Sequence, residues 1–279
     1  ITRDNLVAVH RRTFRPDNAV LILAGDINLE TGLALARRHF GSWPVPNEPS
    51  PPVPRPSGAA SGPSGAIVDM ANSGQAAVVV AVALPERTGS ERAIGAVLNS
   101  VLGGGYSSRI NQEIRIKRGL SYGANSGLEA RREAAFFRVG VQTKNDSAAE
   151  VVRLVEEEID RLMKDPVGNE ELAARKAALI GGFSRSVETT AGLAAAIRAL
   201  VIAQRPVGEL KSRIEQLEAV TAQDIQKYAA ANLGASQRRV AVAGEARAFA
   251  PALERAMPGV VTVGGDALDL ERGDGLARR

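Results

Sequence analysis

The first 43 residues alternate between amphipathic and apolar segments, and this pattern predicts two helices separated by one strand. Apolar positions recur at helical spacing over 4–14 and 29–40, whereas 19–24 is a continuous apolar run typical of a buried strand. A Gly25-Asp26 turn follows the strand. A single strand cannot satisfy its backbone hydrogen bonds without neighbouring strands. We therefore expect the rest of its sheet to lie outside this segment.

A proline-rich stretch follows these elements. Eight of the fourteen prolines lie between Pro44 and Pro63, interleaved with serine and glycine up to Gly65. Such a composition is typical of an extended, semi-rigid linker. The pattern therefore predicts a linker at 44–65.

Beyond the linker, strand patterns and helix patterns occur in separate groups. Five apolar segments are predicted as strands, at 66–71, 75–84, 121–129, 134–142 and 238–243. Seven segments have helical periodicity, at 90–102, 108–118, 146–164, 169–189, 191–202, 208–219 and 222–233. An Asn72-Ser73-Gly74 turn favours a hairpin between the first two strands, and the first four strands are able to form one antiparallel sheet. The grouping indicates an α+β fold, and the polar, glycine-rich tail at 264–279 is expected to be mobile.

Length and composition narrow the class of protein. The 279 residues correspond to roughly two domains if a domain averages about 150 residues. A hydrophobic fraction of 44% and a charged fraction of 24% exclude wholesale disorder. The longest apolar run, 76–84, falls well short of the roughly 20 residues of a membrane-spanning helix, so no transmembrane segment is predicted.

The net charge, the lack of cysteine and the first residue of the chain each add one expectation. A net charge of +4 is a mild imbalance, which does not indicate a nucleic-acid partner. The lack of cysteine excludes a disulfide framework, a thiolate metal site and a cysteine nucleophile. The chain starts at Ile1 without a methionine or a signal-like segment, so we expect it to be N-terminally incomplete.

Histidine-based chemistry finds little support in this sequence. His10 and His39 are the two histidines, and neither lies in an HExxH or HxxEH motif, whose spacing places two imidazoles on one helix face for zinc. We interpret both as structural or surface residues, so no metal site is predicted in this chain. A serine nucleophile would need a base such as histidine, which the second half of the chain lacks.

The Gly103-Gly104-Gly105 triplet is a candidate binding loop. It follows a helix rather than a strand and lacks the GK[ST] ending of a phosphate loop, so nucleotide binding is disfavoured. Two interpretations stay open. The triplet is either a flexible connection with Ser107 or Ser108 as a helix N-cap, or a loop without side chains that lets an extended peptide approach the backbone.

The segment from Arg115 to Tyr122 carries the most informative pattern. A basic helix end stops at Gly119, the expected left-handed glycine after the helix, and the chain turns at once into a strand. Arg115 and Tyr122 can therefore converge, and a guanidinium with a phenol suits the binding of a peptide carbonyl or a developing oxyanion. The alternative is that Lys117 and Arg118 complement the helix dipole and that Tyr122 packs on the core.

Several of these segments resemble the M16 (pitrilysin-like, inverzincin) metallopeptidases, which include mitochondrial processing peptidase and the core subunits of the respiratory bc1 complex. The Phe-Arg-Pro-Asp-Asn sequence that runs into the apolar stretch, 14–26, resembles the end of the family's first domain, and 40–44 resembles its exit into the linker. The segments 102–109 and 115–122 resemble the second, homologous domain. The resemblance covers roughly residues 1–263.

The resemblance implies a division of labour between two similar α+β domains that face each other across a cavity. One domain holds zinc on an HxxEH motif plus a downstream glutamate, and the other supplies an Arg/Tyr pair, which Arg115 and Tyr122 match. The implied chemistry is attack of zinc-activated water on a peptide carbonyl while Tyr122, and with it Arg115, holds the substrate and the polarised oxygen. Substrates of the family bind as an added β-strand, and Gly103, Gly104 and Gly105 are the candidate substrate-binding residues if the second interpretation of the triplet holds.

The same resemblance implies the domain organisation and the function. Residues 1–43 correspond to the C-terminal remnant of a first M16 domain, 44–65 to the linker, 66–263 to a second M16 domain with an antiparallel-rich sheet packed by helices, and 264–279 to a tail. The chain is then the substrate-binding part of a zinc endopeptidase, with no cofactor of its own and inactive without a zinc-bearing half. The alternative is a non-catalytic structural or peptide-binding subunit. The family implies a periplasmic or cell-envelope location, with the cytoplasm left open.

Overall fold

The computed structural model describes residues 1–50, 63–85, 89–130 and 135–268. The chain divides into two compact units, Ile1–Ser57 with Gly181–Lys211, and Gly58–Ile180 with Ser212–Arg279. Residues 51–62 of the predicted linker and 269–279 of the predicted tail lie outside the described residues, so these two predictions stay predictions.

Helices dominate the first unit. It contains α1 (Arg3–Thr13), α2 (Leu29–Phe40) and α7 (Thr190–Ile202), and it takes in the end of α6 (Asn169–Val187) and the start of α8 (Glu209–Ala219). Local side-chain caps explain two of the helix starts. Thr2 and Asn5 form a capping box before α1, and the Asn28 side chain accepts the Thr31 N–H at 2.8 Å before α2. The helices predicted at 4–14 and 29–40 are confirmed.

The strand predicted at 19–24 is wrong as a local element. In the described part of the chain this segment joins no ladder, and Val20, Leu21 and Leu23 are exposed. An isolated extended segment gains no ladder hydrogen bonds and buries little apolar surface. The 19–24 segment has no ladder partner among the described residues, so the expectation that the rest of its sheet lies outside residues 1–43 stays a prediction.

The second unit contains a six-stranded mixed sheet. Its strands are β1 (Gly65–Asp69), β2 (Ala76–Leu84), β3 (Ala124–Ala130), β4 (Ala135–Thr143), β5 (Arg238–Gly244) and β6 (Val261–Gly264). The order across the sheet is β3-β4-β2-β5-β1-β6. The first three pairings in this order are antiparallel, and the last two, β5 with β1 and β1 with β6, are parallel.

Two expectations about this sheet are corrected by its order. The predicted hairpin of β1 and β2 does not form, because β5 lies between the two strands and pairs with both. The turn itself is present, since Ser73 N–H donates to the Met70 carbonyl at 3.1 Å, but the Met70 N–H is bonded to Gly244 of β5 at 2.8 Å. The sheet is also mixed rather than antiparallel throughout. Turn residues reverse the chain, whereas distant apolar segments determine which strands pair.

The sheet has one covered face and one open face. On β2, Ala76, Val78, Val80, Val82 and Leu84 are buried, and the residues between them are less so. Helices α3 (Gly89–Leu102) and α5 (Ala148–Lys164) pack on the covered face, and α9 (Ala222–Asn232) packs against both. This alternation follows from the two-residue side-chain period of a strand.

The remaining elements complete an α+β domain. The predicted helix at 108–118 is a short α4 (Arg109–Asn111) that continues as one turn of π-helix, Gln112–Ile116. Helix α10 (Ala250–Ala256) and strand β6 were not predicted, because each is short and β6 has weak burial. The predicted fold class, α+β with an antiparallel-rich sheet packed by helices, is confirmed. Among the helices of the described ranges, none has both the length and the apolar character needed to cross a membrane.

Candidate functional site

A sharp corner between the π-turn and β3 positions the predicted Arg/Tyr pair. Gly119 has φ +63°, the left-handed conformation that glycine adopts without a steric penalty. Its N–H donates to the Arg115 carbonyl at 3.0 Å, and the next N–H, of Leu120, donates to the Ile114 carbonyl at 2.9 Å. The predicted helix stop at Gly119 is therefore confirmed. A π-turn such as Gln112–Ile116 is rare and is frequently found at functional sites.

Two hydroxyl groups attach the corner to the end of β4. Thr143 Oγ1 donates to the Leu120 carbonyl at 2.6 Å, and Ser121 Oγ lies 2.6 Å from the Gln142 carbonyl oxygen. Tyr122 follows directly, and its side chain is 91% exposed. The alternative that Tyr122 packs on the core is therefore wrong.

The structure brings Arg115 and Tyr122 together and adds a third residue. The Arg115 guanidinium carbon lies 4.8 Å from the centre of the Tyr122 ring and 5.0 Å from the centre of the Tyr106 ring. Both distances are within cation–π range. Tyr106 was not among the residues predicted from the sequence. Its position directly after the glycine triplet, in a loop close in the chain to Arg115, could have indicated it.

The charges around Arg115 leave its guanidinium available. Glu113 pairs with Lys117 and with Arg118, so these two basic residues have a carboxylate partner as well as the helix dipole. The hydrogen bond from Lys117, followed by that from Arg118, holds the pKa of Glu113 below its ordinary value. In the part of the chain that the structure describes, no carboxylate is paired with Arg115. Its donors can therefore bind a ligand.

The glycine triplet divides into packed and open positions. A Cβ atom at Gly103 would lie 2.4 Å from the Ser126 nitrogen, and one at Gly104 would lie 2.8 Å from Ser100 Cα. A Cβ at Gly105 would meet nothing within 4 Å. Close packing of the end of α3 against β3 thus accounts for Gly103, and the return of the loop onto the last turn of α3 accounts for Gly104. The substrate-binding role of the triplet stays a prediction.

Two connected depressions surround the Arg/Tyr pair. The corner recess, of about 250 Å³, is lined by residues that include Gly103, Gly105, Tyr106, Asn111, Arg115 and Asn125. The sheet groove, of about 510 Å³, runs over the open sheet face and is lined by residues that include Ala77, Tyr122, Asn125, Gly127, Arg138 and Gly140. The two share Gly123 and Asn125, so a ligand in one lies next to the other.

The loop after the triplet is held in place from two sides. Arg109 forms a two-pronged ion pair with Glu171 of α6, with Nη2 2.7 Å from Oε2 and Nε 3.0 Å from Oε1. The hydrogen bond with Glu171 raises the pKa of Arg109 above its ordinary value. The Asn111 amide donates to the Tyr106 carbonyl, and its oxygen accepts the Ala124 N–H at 3.3 Å. Tyr106 is thereby positioned relative to both α4 and β3.

Zinc does not fit the residues that the structure describes. Within 1–50, 63–85, 89–130 and 135–268, no three His, Cys, Asp or Glu side chains are grouped so that they could hold a metal ion. His10 and His39 are both exposed, and the His10 ring stacks on Phe14 at 4.9 Å.

Fold and corner together define an α+β domain that presents an Arg/Tyr pair beside an open sheet face. The family model described as "Peptidase M16 inactive domain" matches residues 1–179. This chain therefore belongs to the M16 peptidase family, and the resemblance inferred from its motifs is confirmed.

Known proteins with related sequences or structures support this assignment. The chain is 26% identical over 243 residues to an uncharacterized zinc protease of Mycobacterium leprae, a match that covers 84% of this chain and 55% of that protein. The fold is similar to an M16 inactive domain from Pseudomonas fluorescens (TM-score 0.76, 23% identity, 88% of this chain and 58% of that one). It is also similar to a protease from Helicobacter pylori (TM-score 0.79, 19% identity, 88% and 59%). The chain thus spans about half the length of the curated relatives that it matches.

Proposed function

We propose that this chain is the substrate-binding, Arg/Tyr-supplying part of an M16 zinc metallopeptidase that cleaves peptides. One observation carries the proposal: the Arg115 guanidinium lies 4.8 Å from the Tyr122 ring, and Tyr122 is almost fully exposed where it lines the sheet groove. The guanidinium offers several N–H donors and the phenol offers one O–H donor. Directed at one peptide carbonyl, these donors would stabilise the negative charge that develops on its oxygen.

Preorganisation gives this pair its catalytic value. An exposed tyrosine on a turn would otherwise sample several rotamers, and ordering it at the moment of binding would cost free energy. The cation–π contact with Arg115 restricts the Tyr122 ring, and the backbone hydrogen bonds of Gly119 and Leu120 fix the corner that carries both residues. The donors are therefore held near their working positions before a peptide arrives.

The apolar surface of the first unit supports a requirement for a second, zinc-bearing half. The 19–24 segment has no ladder partner among the described residues, although its composition is that of a buried strand. A recess of about 290 Å³ beside it is lined by residues that include Pro16, Ala19, Val20, Phe40 and Trp43. Unpaired extended backbone next to exposed apolar side chains is characteristic of a surface that another part of the protein covers. We propose that the zinc-bearing half covers it.

Peptide hydrolysis by defined mixtures tests this function. The chain alone should not cleave internally quenched peptides, whereas the chain combined with an M16 half that carries HxxEH should cleave them in a chelator-sensitive manner. The same mixture with Arg115→Ala and Tyr122→Phe should lose most of this activity. Chelator-sensitive cleavage that is unaffected by both substitutions would contradict the proposal.

The second candidate is a non-catalytic peptide-binding or structural subunit. It is favoured by the name of the matching family model, which denotes an inactive domain. The same experiment separates the two candidates: binding of labelled peptides without cleavage in any mixture would support the second and exclude the first.

We further propose a periplasmic or cell-envelope location, which rests on the family resemblance alone. Fractionation of cells that produce the complete protein with a C-terminal tag should recover it outside the cytoplasm. Recovery with a cytoplasmic marker would refute this location.

A further inference from the structure

Open-face side chains of β2, β3 and β4 lie in rows across the sheet groove. In one row, Gly127 of β3 and Ala81 of β2 flank Arg138 of β4. In the adjacent row, Asn125 and Val79 flank Gly140. Small residues thus form the floor of the groove on both sides of one long cationic side chain.

Arg138 extends along this floor instead of leaving the sheet. A Cβ atom at Gly140 would lie 3.8 Å from Arg138 Nη2, which places the guanidinium over the next row of the same strand. Glycine at position 140 leaves the space that the guanidinium and a ligand would share. The charged end of Arg138 is therefore presented to the groove.

The surroundings of Arg138 leave its donors available for a ligand. No hydrogen bond or ion pair connects its guanidinium to another side chain in the described ranges. Gln75, Asn125 and Gln142 are neutral lining residues. The acidic lining residue, Glu129, lies one row further along β3, opposite Phe136.

The groove also places Arg138 at a defined distance from the Arg/Tyr pair. The corner that carries Tyr122 is attached to the Gln142 carbonyl through Ser121. The Arg138 guanidinium lies over the row of Gly140, two residues from Gln142 on β4, which corresponds to about 7 Å at roughly 3.4 Å per residue of a strand. An extended peptide in the groove would span this distance with about two of its own residues.

We propose that Arg138 is an anion-binding subsite for the side chain of an aspartate or glutamate, about two residues from the peptide carbonyl bound at Tyr122. The proposal rests on the proposed function, because it assumes that peptides occupy the sheet groove. A guanidinium binds a carboxylate through two parallel N–H donors, which favours it over a neutral amide or an ammonium. Peptides with an acidic residue at this position are thereby the favoured substrate class.

Direct binding tests the subsite without any requirement for catalysis. The probes are fluorescently labelled ten-residue peptides that are identical except for one Glu, Gln or Lys. The wild-type chain should bind the Glu peptide about three- to tenfold more tightly than the Gln peptide, as a charge-assisted contact in a partly open groove would give. Arg138→Gln should abolish this preference, and Arg138→Glu should shift it to Lys.

A matched control removes a charge elsewhere. Arg153 lies on α5, which packs on the covered face, and pairs with Glu157 at 2.6 Å, so Arg153→Gln changes the net charge equally without touching the groove. It should retain the Glu preference. Three results would each overturn the subsite. They are equal binding of the Glu and Gln peptides to the wild type, a Glu preference that is retained in Arg138→Gln, and a Glu preference that is lost in Arg153→Gln.

Cleavage by the complete assembly then separates the subsite from the proposed function. With the zinc-bearing half present, kcat/KM should be highest when Glu lies about two residues from the cleaved bond, and Arg138→Gln should remove that maximum. If Tyr122→Phe slows cleavage while Arg138→Gln leaves the Glu/Gln ratio unchanged, the subsite alone fails. If Tyr122→Phe has no effect on turnover, the proposed function fails, whatever the binding results.

Discussion

The N–H of Ser126 donates a 3.0 Å hydrogen bond to the carbonyl of Gly103, at the point where the end of α3 approaches β3. A second contact, from Ser126 Oγ to the Asn99 side-chain oxygen at 2.7 Å, strengthens this junction. The corner recess lies directly beside it, so the packing of a helix end against an edge strand determines where the glycine loop and Tyr106 lie.

This junction predicts a difference between two neighbouring glycines. Gly103→Ala would place a Cβ atom 2.4 Å from the Ser126 nitrogen and should destabilise the domain by about 1–3 kcal/mol, as overpacking does. Gly105→Ala should be close to neutral, because its Cβ would enter open space. Urea unfolding of the two variants measures the difference, and equal midpoints would show that the loop adjusts without cost.

Tyr122 should contribute to turnover rather than to stability. Tyr122→Phe removes one hydroxyl donor from an exposed ring and should lower kcat of the complete assembly by roughly 10- to 1,000-fold. The unfolding midpoint should stay unchanged, since the ring retains its contact with Arg115. Steady-state kinetics with a fluorogenic peptide measure the effect. An unchanged kcat would show that Tyr122 has no catalytic role.

Tyr106 should position Arg115 through its ring and not through its hydroxyl. Tyr106→Leu removes one of the two aromatic faces around the guanidinium and should lower kcat/KM by about two- to fivefold, the size of an exposed cation–π contact. Tyr106→Phe keeps the aromatic ring and should therefore have the kcat/KM of the wild type.

A spectroscopic signal provides the independent check on Tyr106. The Nε–Hε resonance of Arg115 should move when the Leu variant loses the ring current, and it should remain in place in the Phe variant. An identical resonance in wild type and Tyr106→Leu would show that the ring does not hold the guanidinium in solution.

Glu113 should make the corner sensitive to acid. Its pKa is lowered in the folded state, first by the hydrogen bond from Lys117 and then by that from Arg118. The stabilisation is therefore fully present above the ordinary carboxyl pKa of about 4.3 and is lost as pH falls through the lowered folded value. Glu113→Gln should reduce stability at pH 7, and its difference from the wild type should shrink as the solution is acidified.

Urea unfolding at pH 7 and below pH 4 measures this trend. Glu157→Gln is the matched control, because Glu157 pairs with Arg153 on the exposed side of α5. A Glu113→Gln difference that is independent of pH would show that the carboxylate does not stabilise the corner through its charge.

Local interactions explain why much of the site was predictable from the sequence. The left-handed Gly119 and the seven-residue spacing of Arg115 and Tyr122 depend on groups that are close in the chain. Their geometry follows from backbone conformation and short hydrogen bonds. For the same reason the α+β class and the M16 family are recognisable from the sequence.

Tertiary structure decided the features that depend on distant residues. Strand β5 lies between β1 and β2, because hydrogen-bond partners in a sheet are selected by burial over long separations, not by the turn that joins two strands. The 19–24 segment has strand composition but forms no ladder in the described chain, since a strand exists only with a neighbour. The placement of Tyr106 on Arg115, and of Arg138 over Gly140, likewise required folding of the whole sheet. The sequence by itself thus determined the helix ends, the corner and the chemistry of its residues. The tertiary structure decided which strands pair and which side chains meet, because those contacts join residues far apart in the chain.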